Sequence, residues 1–190
     1  MERRTYLTGA ATVLATLAGC TANGIKNIGT SQMRQITDVS VSGLESTDLS
    51  VEASVKQAKI TSNHTGEISL TISWNGDEKR TLSFGSSIPY SSPKKSTKQE
   101  GVLLVDKESN FERRNTDTWI PKRDNLETGD LTLMGATLEP GQSVSHTWEV
   151  WAHPGKASRI ESGTYTFTDS IRMGDSESVD WSLTVEIGGE

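Results

Sequence analysis

Residues 67–74 alternate without a break: Ile68, Leu70, Ile72 and Trp74 are apolar, while Glu67, Ser69, Thr71 and Ser73 are polar. A period of two puts successive side chains on opposite faces, so this segment is a strand with one buried and one solvated face. Asn75-Gly76 follows at once, and the alternation resumes with Leu82 and Phe84. Asn-Gly between alternating runs is the usual mark of a two-residue hairpin turn, whose central residues need positive φ. The spacing therefore predicts a β-hairpin over residues 67–84.

The C-terminal half repeats the pattern. Pro140-Gly141 forms a turn, with Pro setting φ and Gly supplying the left-handed position. Val144, His146, Trp148 and Val150 then alternate with Ser145, Thr147, Glu149 and Trp151. Gly163 leads into Tyr165 and Phe167 and a run ending near Ile171, and Trp181, Leu183, Val185 and Ile187 form a last alternating series. With strands expected near 36–41, 49–60 and 101–106, the total reaches about eight. No segment longer than ten residues after Cys20 carries a helical apolar stripe. Short strands with regular turn punctuation imply an all-β domain over residues 36–188: a single antiparallel, immunoglobulin-like sandwich. Residues 85–130 break the rhythm with Pro89, Pro93, Lys94-Lys95, Arg113-Arg114 and Trp119-Ile120-Pro121. Only Gly101–Asp106 reads as a buried strand there. A long irregular stretch in a compact sandwich is either a set of functional loops or a mobile one.

Cys20 is the only cysteine in 190 residues, so the exported chain described next folds without a disulfide. It stands at the end of a tripartite leader. Arg3-Arg4 opens the leader, about fifteen uncharged residues follow, and Leu17-Ala18-Gly19-Cys20 closes it. The uncharged stretch is shorter and less apolar than the roughly 20 residues a permanent span requires. Arg3-Arg4 followed by Tyr6-Leu7 resembles the twin-arginine export signal, which carries folded proteins. Leu17–Cys20 resembles the lipobox of prokaryotic lipoproteins. That resemblance implies diacylglyceryl transfer to the Cys20 thiol, cleavage just before it, and attachment through lipid. Residues 1–19 are then signal peptide and 20–35 a flexible, lipidated tether containing Asn23-Gly24 and Gly29-Thr30-Ser31, with little apolar density. The location implied is the extracytoplasmic face of the cell membrane.

Cleavage before Cys20 changes the net charge from −6 to −7, with 17 Lys and Arg against 24 Asp and Glu. Such an acidic surface repels nucleic-acid phosphates and anionic headgroups alike, so no nucleic-acid partner is expected.

The pattern of residues 68–84, Leu138-Glu139-Pro140-Gly141-Gln142 before a Trp-bearing strand, and Ser162-Gly163-Thr164-Tyr165 together resemble the intracellular proteinase inhibitor family of Bacillus, a small β-sandwich. The likeness covers roughly residues 49–187. It implies the same fold and, as one functional reading, inhibition by a loop. Ser162 stands where that family has proline. The whole chain resembles haloarchaeal lipoproteins of uncharacterised function that join a twin-arginine lipobox leader to such a domain.

Catalytic and metal patterns are sparse. His64, His146 and His153 are not spaced as zinc ligands. No G-x-S-x-G elbow or phosphate-binding loop occurs, and Asp124–Asp130 lacks the alternate-ligand pattern of an EF-hand. Neither an enzyme nor a cofactor nor a metal is expected. Asn63-His64-Thr65 is a glycosylation sequon, which makes Asn63 a candidate attachment point. Trp119, beside Ile120-Pro121, reads either as an exposed stacking platform or as a plug for the sandwich end. Trp151, on the polar phase of its strand, is the second candidate contact. The reading is a non-catalytic binding or structural module meeting a protein or carbohydrate at the cell surface. The alternative is a proteinase inhibitor presenting a loop from 85–130.

Overall fold

The structure is a computed structural model and describes residues 33–44, 48–84, 94–96, 99–107, 111–122, 134–174 and 177–189. Arg3, Arg4, Cys20 and the 1–19 leader lie outside the described residues. So do the 20–35 tether up to Gln32 and the acidic segment 124–130.

The described residues form thirteen strands and no helix: β1 Arg34–Ser42, β2 Leu49–Gln57, β3 Lys59–Ile60, β4 Glu67–Trp74, β5 Arg80–Phe84, β6 Lys94–Lys95, β7 Val102–Asp106, β8 Arg113–Asn115, β9 Thr118–Pro121, β10 Met134–Leu138, β11 Ser143–Ala152, β12 Gly163–Met173 and β13 Glu177–Gly189. Two antiparallel sheets make the sandwich, ordered β10-β5-β12-β13-β1-β3 and β2-β4-β11-β7-β6, and β8-β9 is a separate two-stranded ribbon. Ile68, Leu70, Ile72, Trp148 and Val150 from one sheet share a buried core with Leu82, Phe84, Tyr165, Phe167, Leu183 and Val185 from the other. Tyr165, near the start of β12, donates its hydroxyl to the Glu161 carbonyl at 2.9 Å. That bond, back to a backbone oxygen four residues upstream, resembles the tyrosine corner of some β-sandwiches.

The all-β sandwich is as expected, but the described residues hold thirteen strands where about eight were expected, and the wiring corrects further expectations. Segments 67–74 and 80–84 are strands that do not form a hairpin. β4 pairs with β2 and β11, whereas β5 pairs with β10 and β12 in the other sheet. Trp74 is the reason. Its indole lies under the 75–79 link and donates to the Glu78 carbonyl at 2.6 Å. A Cβ on Gly76 would sit 2.2 Å from the ring. Gly76 is thus glycine for space, and it is absent from the positive-φ glycines. The link arches between sheets.

Residues 49–60 also divide, at Ala58, whose carbonyl accepts from the Ile36 amide at 2.9 Å. β2 stays in the five-stranded sheet while β3 crosses to pair with β1. β10 was not anticipated. The first strand begins at Arg34, two residues before position 36, because Arg34 pairs with both Gly189 and Ile60 through backbone independent of the apolar pattern. Pro140-Gly141 behaves as expected: Gly141 has φ of 77°, and its amide donates to the Trp74 carbonyl at 2.8 Å.

Candidate functional site

All five residues of β7 are buried. Leu104 and Val102 point into the main core with Trp148 and Val150. Leu103 and Val105 face the opposite way, where a sandwich strand ordinarily meets water. They join Trp151 in a second apolar cluster, against which Phe111 and Trp119 pack. A third layer therefore lies outside the five-stranded sheet, supplied by Phe111 and the β8-β9 ribbon. Buried faces on both sides explain the unbroken Val-Leu-Leu-Val run.

Trp151 occupies the centre of this layer. It was expected among the exposed residues, but is only 2% exposed. Its ring meets Trp119 edge-on at 5.4 Å and Phe111 at 6.3 Å, the geometry preferred by aromatic quadrupoles. The indole N–H donates to Glu149 Oε2 at 2.9 Å. Trp119 is half-buried. It does not stand free as a platform: it packs against both the main core and the Trp151 cluster and seats the ribbon on the sheet. Its indole donates to the Thr61 carbonyl at 2.7 Å. The Arg113 guanidinium lies 4.4 Å above its ring, close enough for a cation–π attraction. The same guanidinium donates to the carbonyls of Ser62 (2.6 Å) and Thr116 (3.0 Å).

Around the tryptophans sit charges that alternation alone does not bring together. Glu67 and Glu149 are cross-strand neighbours on β4 and β11. Lys107 donates to both Glu67 oxygens at 2.8 Å. Burial raises the Glu149 carboxyl above its ordinary range. The Trp151 hydrogen bond opposes the rise, Glu67 adds to it, and Lys107 and Arg113 lower it. Glu67 held by Lys107 and Glu149 held by Trp151 tie β4, β11 and the end of β7 to one another on the sheet face that the layer covers.

The ribbon ends in an exposed turn. Asn115 Oδ1 accepts from the Asp117 amide at 3.1 Å and from the Thr118 hydroxyl at 2.7 Å. Arg114, Asn115, Thr116 and Asp117 are exposed. This described part of the 85–130 stretch, expected to be irregular, is an ordered protrusion. The Val102–Asp106 run held the signal: a strand buried on both faces requires a cover, and the apolar residues available nearby are Phe111, Trp119 and Ile120.

Asn63 lies beside the ribbon, in the loop that Trp119 and Arg113 hold. It is exposed, while Thr65 is 2% exposed. Elsewhere, His146 Nε2 lies 3.1 Å from Asp106 Oδ1, an ion-pair distance without hydrogen-bond alignment, and the imidazole meets Trp148 edge-on at 5.0 Å. His153 sits in a turn, its ring nitrogen 2.6 Å from the Pro154 carbonyl. An open cleft of mixed polarity is lined by Ser42, Asp169, Ser170, Asp180, Trp181 and Ser182. Among the described residues no three His, Cys, Asp or Glu side chains gather as metal ligands, and no helix is long and apolar enough to cross a membrane.

No curated protein and no solved structure matches the chain. A family model described as a domain of unknown function (DUF8130) matches residues 1–178, and the chain belongs to that family.

Proposed function

We propose that this protein is an exported, lipid-anchored contact module: Cys20 holds it at the outer face of the membrane, and the β8-β9 ribbon meets a protein or carbohydrate partner without catalysis. The observation that carries the reading is the ribbon itself. Its apolar underside is packed on Trp151, and its exposed tip is stiffened by Asn115 and Arg113. A tip already held in one conformation loses little entropy on binding. The family match covers residues 1–178 and so takes in Arg3, Arg4 and Cys20 together with most of the domain.

Two experiments test it. Cys20→Ser should release the protein from membranes or stall its processing; unchanged attachment sinks the anchor. A photo-crosslinker at Thr116 in intact membranes should yield a discrete adduct that is absent when the probe stands at Ser40. Equal adducts at both positions would remove the ribbon from the reading.

The second reading, an inhibitor of extracellular proteinases, is favoured by the same exposed and braced tip. It predicts that the purified protein slows proteases secreted by its own cell. No effect at a large molar excess ends that reading and leaves the contact module standing.

A further inference from the structure

We propose that Asn63 is a fold-gated glycosylation acceptor: sugar can be attached before the domain closes, and the folded domain is refused. The inference rests on the export reading above only in that such transfer happens outside the cytoplasm; a chain exported folded, as the twin-arginine resemblance implies, reaches the transferase already closed and stays unmodified.

The sequon is split by the fold. Asn63 is exposed, as a motif of this kind predicts. Thr65, the residue whose hydroxyl a transferase must read, is buried and donates that hydroxyl to the Val150 carbonyl. The adjoining backbone is fixed as well, because the Val150 amide donates to the Gly66 carbonyl at 2.9 Å. On the other side the Thr61 hydroxyl accepts from the amides of Asn63 and His64, each at 3.2 Å, and the Thr61 amide donates to the His64 carbonyl at 2.8 Å. Trp119 and Arg113 bind the carbonyls of Thr61 and Ser62 from above. Asn63 is therefore in a closed turn, whereas a transferase grips its sequon extended with the hydroxyl free.

The reaction is displacement at the anomeric carbon of a lipid-pyrophosphate-linked oligosaccharide. The Asn63 Nδ2–carbon bond forms, the carbon–oxygen bond to the lipid pyrophosphate breaks, and one amide proton passes to a base of the transferase. To present Thr65, at least its bond to Val150 and the neighbouring Val150–Gly66 bond must open. At roughly tenfold for each, the folded chain is slower by about 100-fold or more.

The test uses a single-subunit oligosaccharyltransferase with lipid-pyrophosphate oligosaccharide and three substrates: the full chain, a peptide of residues 59–70, and the full chain carrying Val150→Pro. Near-UV circular dichroism reports whether each chain is folded, and intact mass reports the sugar. Peptide and unfolded chain should be modified at Asn63, with Asn63→Gln abolishing the product, and the folded chain refused. A folded chain modified within about tenfold of the peptide overturns the gate. Refusal of peptide and unfolded chain alike overturns the acceptor. Protein taken from its own membranes should carry no sugar at Asn63 if it was exported folded. Sugar there, with refusal of the folded chain in vitro, leaves the gate intact and overturns folded export instead.

Discussion

Replacing Trp151 by alanine removes the centre of the layer outside the five-stranded sheet. The side chain is 2% exposed and is enclosed by Phe111, Trp119, Leu103 and Val105. A buried aromatic covers roughly 150–250 Å², which at about 25 cal/mol per Å² sets a ceiling near 4–6 kcal/mol. Truncations of this kind fall lower, at about 3–5 kcal/mol, because the surroundings relax in part. The expected loss is about 3–4 kcal/mol, a large share of the roughly 5–15 kcal/mol that holds an ordinary domain together. Trp151→Phe keeps the aromatic packing and gives up the indole bond to Glu149, so it should lose only about 1 kcal/mol beyond its lost volume. Urea unfolding followed by near-UV circular dichroism measures both. The midpoint should fall with little change in slope if the layer melts with the sandwich. A loss within about 0.5 kcal/mol for Trp151→Ala, the ordinary range of a surface change, would refute a buried third layer.

Gly76→Ala should destabilise by about 1–3 kcal/mol in thermal unfolding, since its methyl must displace the Trp74 ring. In a Trp74→Leu background most of that penalty should vanish, whereas a penalty set by backbone angle would persist. Burial raises the Glu149 carboxyl, so the folded state holds its proton to higher pH than the unfolded chain. The Glu149 contribution is then fully present below the usual carboxyl range and is lost as pH rises through the folded value. Glu149→Gln should therefore match the parent near pH 4 and melt at a higher temperature at neutral pH; a gap that does not change with pH rejects the assignment. Tyr165→Phe should cost about 0.5–1.5 kcal/mol in urea unfolding, for loss of the hydroxyl bond to Glu161.

The sandwich was legible because strand alternation depends on one local fact, that one face is buried. Ile68 to Trp74 and Trp181 to Ile187 carry that fact in their own residues, and both are strands as read. Which sheet a strand joins is not local. Asn75-Gly76 has the composition of a tight hairpin, yet the indole one residue earlier fills the space such a turn needs, so the chain arches to the other sheet. Ala58 divides β2 from β3 for a similar reason: its carbonyl is bonded to Ile36, a residue more than twenty positions away.

The candidate site was harder to read because it is made by a layer rather than a strand. On β11, Trp151 falls on the same phase as Ser145 and Thr147, and within the strand nothing distinguishes it from an exposed residue. Only the ribbon, drawn from a stretch rich in polar residues, turns that phase inward. The same ribbon fixes the Thr61–Thr65 loop through Trp119 and Arg113, so Asn63, Trp119 and Trp151 belong to one structure. That changes the role of each. Trp151 supports, Trp119 fastens, and the polar turn Arg114–Asp117 stays exposed. A ribbon built this way should tolerate substitution at its tip far better than beneath it, because the exposed tip residues contribute little to the layer that holds them in place.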